Sequence, residues 1–261
     1  MLKIAVVGAS GRMGQAILRL AKSLGDVEVV GALVRPGSPA EDEVVPDWPR
    51  LRYTSDQSAA LVEAEVVLDF SAATDGSALV RHCVDHDLPL LVGTTGLADA
   101  ARDALERASR KVPVLIAPNT SKGVNILLDL VHRAAAALGD DYDIEIFEAH
   151  HNRKSDAPSG TALRLGEVAA EARRKRLDAV SVHHRKGQTG PRRAGDIGFS
   201  VVRGGDIAGE HTVYLAGPGE RLELSHRASS RDTFAHGALD AARWLAGRQA
   251  GLYDMRDVLG F

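Results

Sequence analysis

The sequence predicts an α/β protein, a doubly wound parallel sheet joined to a second α+β domain built on an open mixed sheet. Three observations lead there. From residue 1 to 121, short all-apolar runs alternate with stretches of helical periodicity, the pattern of parallel strands covered on both faces. A glycine-rich turn joins the first run to the first helix. Past Asn119 the pattern changes, and three β-rich runs from about residue 180 cluster without intervening helices, which suits a mixed sheet.

Ile4 to Val7 forms the first strand. Met13, Ala16, Ile17, Leu20 and Leu24 then recur at helical spacing, and Gly25 ends that helix. Val27 to Val34 is the second strand, and residues 36–50, rich in proline and acid, read as a surface loop. Val66 to Phe70, Leu88 to Val92 and Val112 to Ile116 follow as buried strands, with helices near 75–86 and 97–110 between them. This alternation implies right-handed crossovers.

A helix from Lys122, carrying Val124, Leu127, Leu128, Val131, Ala135 and Leu138, leads to a strand near 143–149. The next helix spans about 160–176, and its run Arg173-Arg174-Lys175-Arg176 reads as a solvated terminus, where cations suit the macrodipole. Three β-rich runs lie near 180–184, 197–203 and 211–226. The tail, 232–248, is an amphipathic helix with Phe234, Ala238, Ala241, Ala242 and Leu245 on one face. Two domains are expected: 1–121 with 231–261, and 122–230.

Composition narrows the function. A net charge of −3 gives no strong field toward nucleic acid or a membrane, and neither is expected as a partner. Cys83 is the only cysteine, so neither an intrachain disulfide nor a cysteine-based zinc cluster can form. No apolar run approaches the ~18 residues that span a bilayer, and the N-terminus reads as a strand rather than a signal peptide. A cytoplasmic location is expected.

Gly8-Ala9-Ser10-Gly11-Arg12-Met13-Gly14 carries the first chemistry. Glycines let backbone N–H groups approach a pyrophosphate at a helix N-terminus, which marks the sheet as Rossmann-like and dinucleotide-binding. The spacing is G-x-x-G-x-x-G, with Ser10 in the middle place of the usual G-x-G-x-x-G; a plain tight turn is the competing reading. An acid at the end of the second strand suits the ribose of NAD, and arginine suits the extra phosphate of NADP. Here that strand ends Ala32-Leu33-Val34-Arg35, so Arg12 and Arg35 are candidates to clamp a 2′-phosphate. NADPH is the expected preference, with NADH the second cofactor; solvated arginines are the alternative. Gly93-Thr94-Thr95-Gly96 and Ala117-Pro118-Asn119-Thr120-Ser121 follow later strands, at the carboxyl ends where ligands sit in open α/β sheets.

The densest signal is Glu148-Ala-His-His-Asn-Arg-Lys-Ser-Asp-Ala-Pro-Ser-Gly-Thr-Ala162. His150 and His151 would face opposite ways on a continuous strand, unless a turn begins there. Adjacent histidines without thiolates chelate zinc poorly, so no metal is expected; structural histidines remain an alternative. Lys154, beside histidines and a cationic nicotinamide, is a candidate proton donor. Ser159 is a natural N-cap, and Gly160 and Thr161 open a helix whose N–H groups suit a carboxylate.

On these residues, and on Arg203-Gly-Gly-Asp-Ile-Ala-Gly-Glu-His211, His226-Arg-Ala-Ser-Ser-Arg231 and Gly251-Leu-Tyr-Asp-Met-Arg-Asp-Val-Leu259, the chain resembles the dihydrodipicolinate (4-hydroxy-tetrahydrodipicolinate) reductases almost end to end. The resemblance implies hydride transfer from NAD(P)H to a cyclic dicarboxylate in diaminopimelate and lysine biosynthesis. It implies that His150 is a proton donor or acceptor and Lys154 a proton donor. His151, Gly160 and Thr161 match substrate-binding positions, with Ser159 beside them. Gly8, Ala9, Ser10, Gly11, Arg12, Met13, Arg35, Gly93, Thr94, Thr95, Ala117, Pro118, Asn119 and Thr120 match cofactor contacts. A homotetramer assembled through the substrate domains is also implied. Two departures stand out: Val34 where many members carry an acid, and Thr120 where an aromatic is common. The rival readings are a non-catalytic NAD(P)H-binding protein, and a different dehydrogenase acting on an amino-acid aldehyde. A thioester route is disfavoured because Cys83 lies in a helical stretch of the nucleotide domain.

Overall fold

The computed structural model describes residues 1–71 and 77–261. In chain order the first elements are β1 (Leu2–Val7), α1 (Arg12–Leu24), β2 (Val27–Leu33), β3 (Val44–Val45), β4 (Trp48–Thr54), α2 (Gln57–Leu61) and β5 (Val66–Asp69). Then come α3 (Ser77–Asp85), β6 (Leu90–Val92), α4 (Asp99–Ala108), β7 (Pro113–Ile116) and α5 (Lys122–Leu138). They are followed by β8 (Asp143–His150), α6 (Gly160–Ala172), α7 (Leu177–Val180), β9 (Ser181–Val182) and β10 (Ile197–Arg203). The chain closes with β11 (Gly209–Gly217), β12 (Glu220–Ala228), α8 (Asp232–Leu245), β13 (Gly251–Tyr253) and α9 (Met255–Leu259). These form two compact units, Met1–Lys122 with Asp232–Phe261, and Gly123–Arg231.

The first unit holds an eight-stranded sheet in the order β13-β7-β6-β5-β1-β2-β4-β3. Its pairings are parallel apart from the short β3–β4 pair. Strand alternation sorts β1 between two cores. Ile4 and Val6 pack with α1 and α8 through Ile17, Ala21, Ala238 and Leu245, whereas Ala5 and Val7 face Leu61, Leu79, Cys83 and Leu105. This is the doubly wound arrangement that the strand–helix alternation predicts. The winding direction reverses at β1, whose neighbours are β2 and β5, so the switch point lies where the glycine loop leaves the sheet.

The second unit is a mixed five-stranded sheet, β12-β11-β8-β10-β9. Ile144, Ile146, Ile197, Phe199, Val213 and Leu215 point to one face and pack against Leu127, Val131 and Leu165 of α5 and α6. Register continues that face toward the carboxyl end of β8: Glu148 lies opposite His211 and Val201, and His150 opposite Arg203. The polar cluster described below is therefore an extension of the apolar core rather than a separate loop feature.

Three local expectations change, and a fourth is matched as far as the described residues reach. The third β-run is a hairpin of β11 and β12, turned at Pro218-Gly219. Residues 36–50 contain β3 and the start of β4, because Val45 is fully buried and Trp48 Nε1 donates to the Leu18 carbonyl at 3.2 Å. The helix expected near 75–86 is α3 from Ser77; residues 75 and 76 lie outside the described residues. The basic run after α6 is only partly solvated. Arg173 is the C-cap, its side chain is 3% exposed, and it donates to the Tyr142 carbonyl at 2.7 Å. Lys175 pairs with Asp140 at 2.9 Å, while Arg174 and Arg176, the latter paired with Asp178, remain on the surface.

Candidate active site

In the first unit, backbone bonds chain together the loops that leave the sheet. Gly8 N–H donates to the Leu33 carbonyl at 3.0 Å, Phe70 N–H to Val7, Gly93 N–H to Asp69, and Ala117 N–H to Val92. Gly8, Gly93 and Ala117 thus stand along one carboxyl edge, with Arg35 just past β2. Gly8 has φ +77, and a Cβ there would meet the Phe70 carbonyl oxygen at 2.8 Å, so only glycine lets the chain turn here. The N-cap of α1 is Gly11; no side chain caps the helix and its first turn holds no acid. The first-turn N–H groups are left for an external anion, and this uncapped, side-chain-free cradle fits a dinucleotide pyrophosphate.

The remaining loop residues divide by exposure. Ser10, Gly11, Arg12, Arg35, Thr95 and Pro118 are exposed, Met13, Gly93, Thr94 and Asn119 are half-buried, and Ala9 and Ala117 belong to the core. Thr94 Oγ1 donates to the Ser71 carbonyl at 2.7 Å, and Asn119 Oδ1 accepts from Ser121 N–H at 2.9 Å. Thr120 is buried, and its hydroxyl donates to the Phe234 carbonyl of α8 at 2.6 Å. Its side chain is committed to holding α8, leaving the backbone for any ligand. Val34 is buried, so no carboxylate takes the place of an acid at the end of β2. Asp69 caps the turn that follows β5, accepting from Ser71 N–H at 2.9 Å, and burial pushes its carboxyl up. Burial likewise pushes the Cys83 thiol up to about 12, which removes it as a nucleophile.

In the second unit, β8 ends at His150 and a turn begins, so the two adjacent histidines part company. His150 Nδ1 lies 2.5 Å from Glu148 Oε2, two residues back on the same strand face. Glu148 is fully buried and takes three further contacts. Arg203 grips it with two bonds, Nη1 to Oε2 and Nη2 to Oε1, both 2.9 Å, and Ser159 N–H donates to Oε1 at 3.0 Å. Burial alone would raise this carboxyl, but Arg203, His150 and Ser159 outweigh it and hold the group below its usual range.

Ser159 caps α6 as expected, accepting from Ala162 N–H at 3.2 Å, and its hydroxyl also meets His211 Nε2 at 3.1 Å. His211 packs edge-on to His150, with ring centroids 5.2 Å apart; burial, then the neighbouring His150, depresses it to about 4, so it is neutral at pH 7. His151 turns instead toward Arg231, accepting from Nη2 at 3.2 Å, and burial followed by Arg231 lowers its pKa. Lys154 pairs with Asp156 at 2.8 Å, and the Asp156 carbonyl accepts from Arg203 Nη2 at 2.5 Å. Gly160 is exposed at the start of α6, with Thr161 next to it.

His150, Ser159 and, through Arg203, the Lys154 turn are thus joined in one network, whereas His151 is tied to a different arginine. Glu148, Arg203 and His211 do not figure among the residues that the sequence picks out as site candidates. A signal was present: Glu148 shares the strand face of His150, and Arg203 and His211 bracket one of the distinctive segments. Acid chemistry, a neutral imidazole and an ammonium thus meet beside a helix end that suits a carboxylate.

A doubly wound sheet with a glycine loop at its switch point, joined to a mixed-sheet unit bearing this network, defines a pyridine-nucleotide-binding α/β protein. Residues 2–120 match the family described as dihydrodipicolinate reductase, N-terminus, and residues 123–259 its C-terminus. The chain belongs to the dihydrodipicolinate reductase family. It is 49% identical to the 4-hydroxy-tetrahydrodipicolinate reductase of Nitrosospira multiformis, over 99% of this chain and 98% of that one. It is 45% identical to that of Myxococcus xanthus, over 100% of this chain and 98% of the relative. A dipicolinate-bound dihydrodipicolinate reductase from Paenisporosarcina sp. TG-14 has the same fold, with a TM-score of 0.78 at 22% identity and 97% coverage of both chains.

Proposed function

We propose that the chain reduces 4-hydroxy-tetrahydrodipicolinate to tetrahydrodipicolinate with NAD(P)H, in diaminopimelate and lysine biosynthesis. The observation that carries this reading is the end-to-end identity to relatives of that name, 49% over 99% of the chain. The first unit serves as the dinucleotide domain (1–121 with 231–261) and the second (122–230) as the substrate-binding and oligomerisation domain of a cytoplasmic homotetramer.

Gly8 to Met13 would hold the pyrophosphate, and Gly93 to Thr95 with Ala117 to Thr120 the nicotinamide end. The reduced nicotinamide supplies the hydride, and the protein supplies a proton as the 4-hydroxyl leaves as water. Lys154 gives that proton, and His150 gives or takes one beside it. His151, Gly160 and Thr161 bind the substrate carboxylates, the last two through the N-terminus of α6. Ser159, engaged with Ala162 and His211, supports that helix end from beneath. Exposed Arg12 and Arg35, with no acid at the end of β2, favour NADPH over NADH.

The test is turnover with synthase-generated substrate and each reduced cofactor in turn, following the nicotinamide absorbance and identifying the product by mass. Oxidation faster with NADPH supports the reading. NADPH binding without oxidation would instead favour a non-catalytic dinucleotide-binding protein.

A further inference from the structure

The network around Glu148 fixes more than a position. A histidine ring nitrogen is a donor or an acceptor according to the bond made by its partner nitrogen. Glu148 is held as a carboxylate by a two-bond grip from Arg203 and by Ser159 N–H, so it can only accept. The group 2.5 Å from its Oε2 is His150 Nδ1, which must therefore carry a proton. That leaves the lone pair of neutral His150 on Nε2.

A second observation, on a different strand, concerns the other side of the ring. Gly209 begins β11, and a Cβ built on it would stand 3.1 Å from His150 Nε2 and 3.4 Å from Cδ2. Any residue larger than glycine would close over that nitrogen. The backbone there, at φ +157, also favours glycine, so the open ring edge coincides with a conformation that side chains rarely adopt.

We propose that Glu148 is a positioning residue that keeps His150 in the Nδ1–H form, and that Gly209 keeps the Nε2 edge open, making Nε2 the nitrogen that exchanges the proton. The inference rests on the proton-transfer role given to His150 above. Arg203 extends the device: the guanidinium that clamps Glu148 also takes the Asp156 carbonyl, two residues from Lys154, and so ties both proton-handling side chains to one anchor.

The test is nitrogen NMR of the full chain with ¹⁵N-labelled histidine, assigned through His150→Gln, with steady-state kinetics alongside. In the parent protein His150 is expected as the Nδ1–H tautomer; an Nε2–H tautomer would overturn the proposal. Glu148→Gln should mix the tautomers and cut kcat by ~10²-fold, the scale of a general acid–base contribution, while KM changes less than about threefold. An unmoved tautomer with unchanged kcat would overturn it. If Glu148→Gln fails to fold, Gly209→Ala carries the kinetic arm: the Nδ1–H tautomer should persist while kcat falls, and full activity would contradict the open-edge claim. The tautomer readout needs no turnover. Failure of the reductase reading would appear separately, as a parent protein that oxidises no NAD(P)H.

Discussion

Glu148 and His150 lie two residues apart on one face of β8, with Oε2 and Nδ1 separated by 2.5 Å. The pairing follows directly from strand geometry, because residues i and i+2 share a face. What the strand alone does not supply is the charge. The bidentate Arg203 comes from β10, which runs parallel to β8 and brings Arg203 opposite His150. A buried carboxylate would otherwise be driven toward its neutral form.

The buried His211 predicts an acid-sensitive fold. Its pKa is about 4 in the folded state against 6.5 for the free side chain, so the unfolded chain binds the extra proton. Stability is fully present above pH 6.5 and is lost as pH falls toward 4. At pH 5 this amounts to on the order of 2 kcal/mol, and His211→Gln should remove that part of the slope. Thermal unfolding of both proteins at pH 7 and pH 5 measures it. Glu148 adds a second loss only at lower pH, since its depressed carboxyl must protonate first.

Cofactor choice should depend on Arg12 in the glycine loop and Arg35 just past β2, both exposed. Replacing Arg12 and Arg35 together by alanine should raise KM for NADPH by about tenfold to a hundredfold, the cost of charge-assisted bonds to a phosphate, and leave KM for NADH nearly unchanged. Equal effects on both cofactors would remove the arginines from the 2′-phosphate.

Thr120 provides a contrast. Its hydroxyl is bonded to Phe234, so Thr120→Val should lower stability by about 0.5–1.5 kcal/mol, by removing that hydrogen bond, without weakening NADPH binding. Unfolding curves and a fluorescence titration of NADPH separate the two effects.

The strands and helices of the nucleotide unit were legible because both faces of β1, β5 and β6 are apolar and the intervening helices keep one periodic face. The hairpin turn is written in the chain as Gly217-Pro218-Gly219, although the β-rich residues on both sides read as one run. β13 and β3 were not legible: two or three residues carry no period, and they become strands only by pairing with β7 and β4. In the site, His150, Lys154 and the α6 cap could be picked out from local sequence. Arg203 and His211 could not be joined to them, because strand register brings 203 and 211 to Glu148 across long separations. Arg173 misled for a similar reason. A basic run at a helix end reads as solvated, and its burial depends on Tyr142 at the start of β8.

The most direct measurement is the paired determination of kcat and NADPH dissociation constant for Lys154→Ala against the parent protein. Removing the acid while sparing the cofactor loop should lower kcat by ~10²–10⁴-fold with the dissociation constant nearly unchanged. Undiminished turnover in that variant would contradict the assignment of proton donation to Lys154.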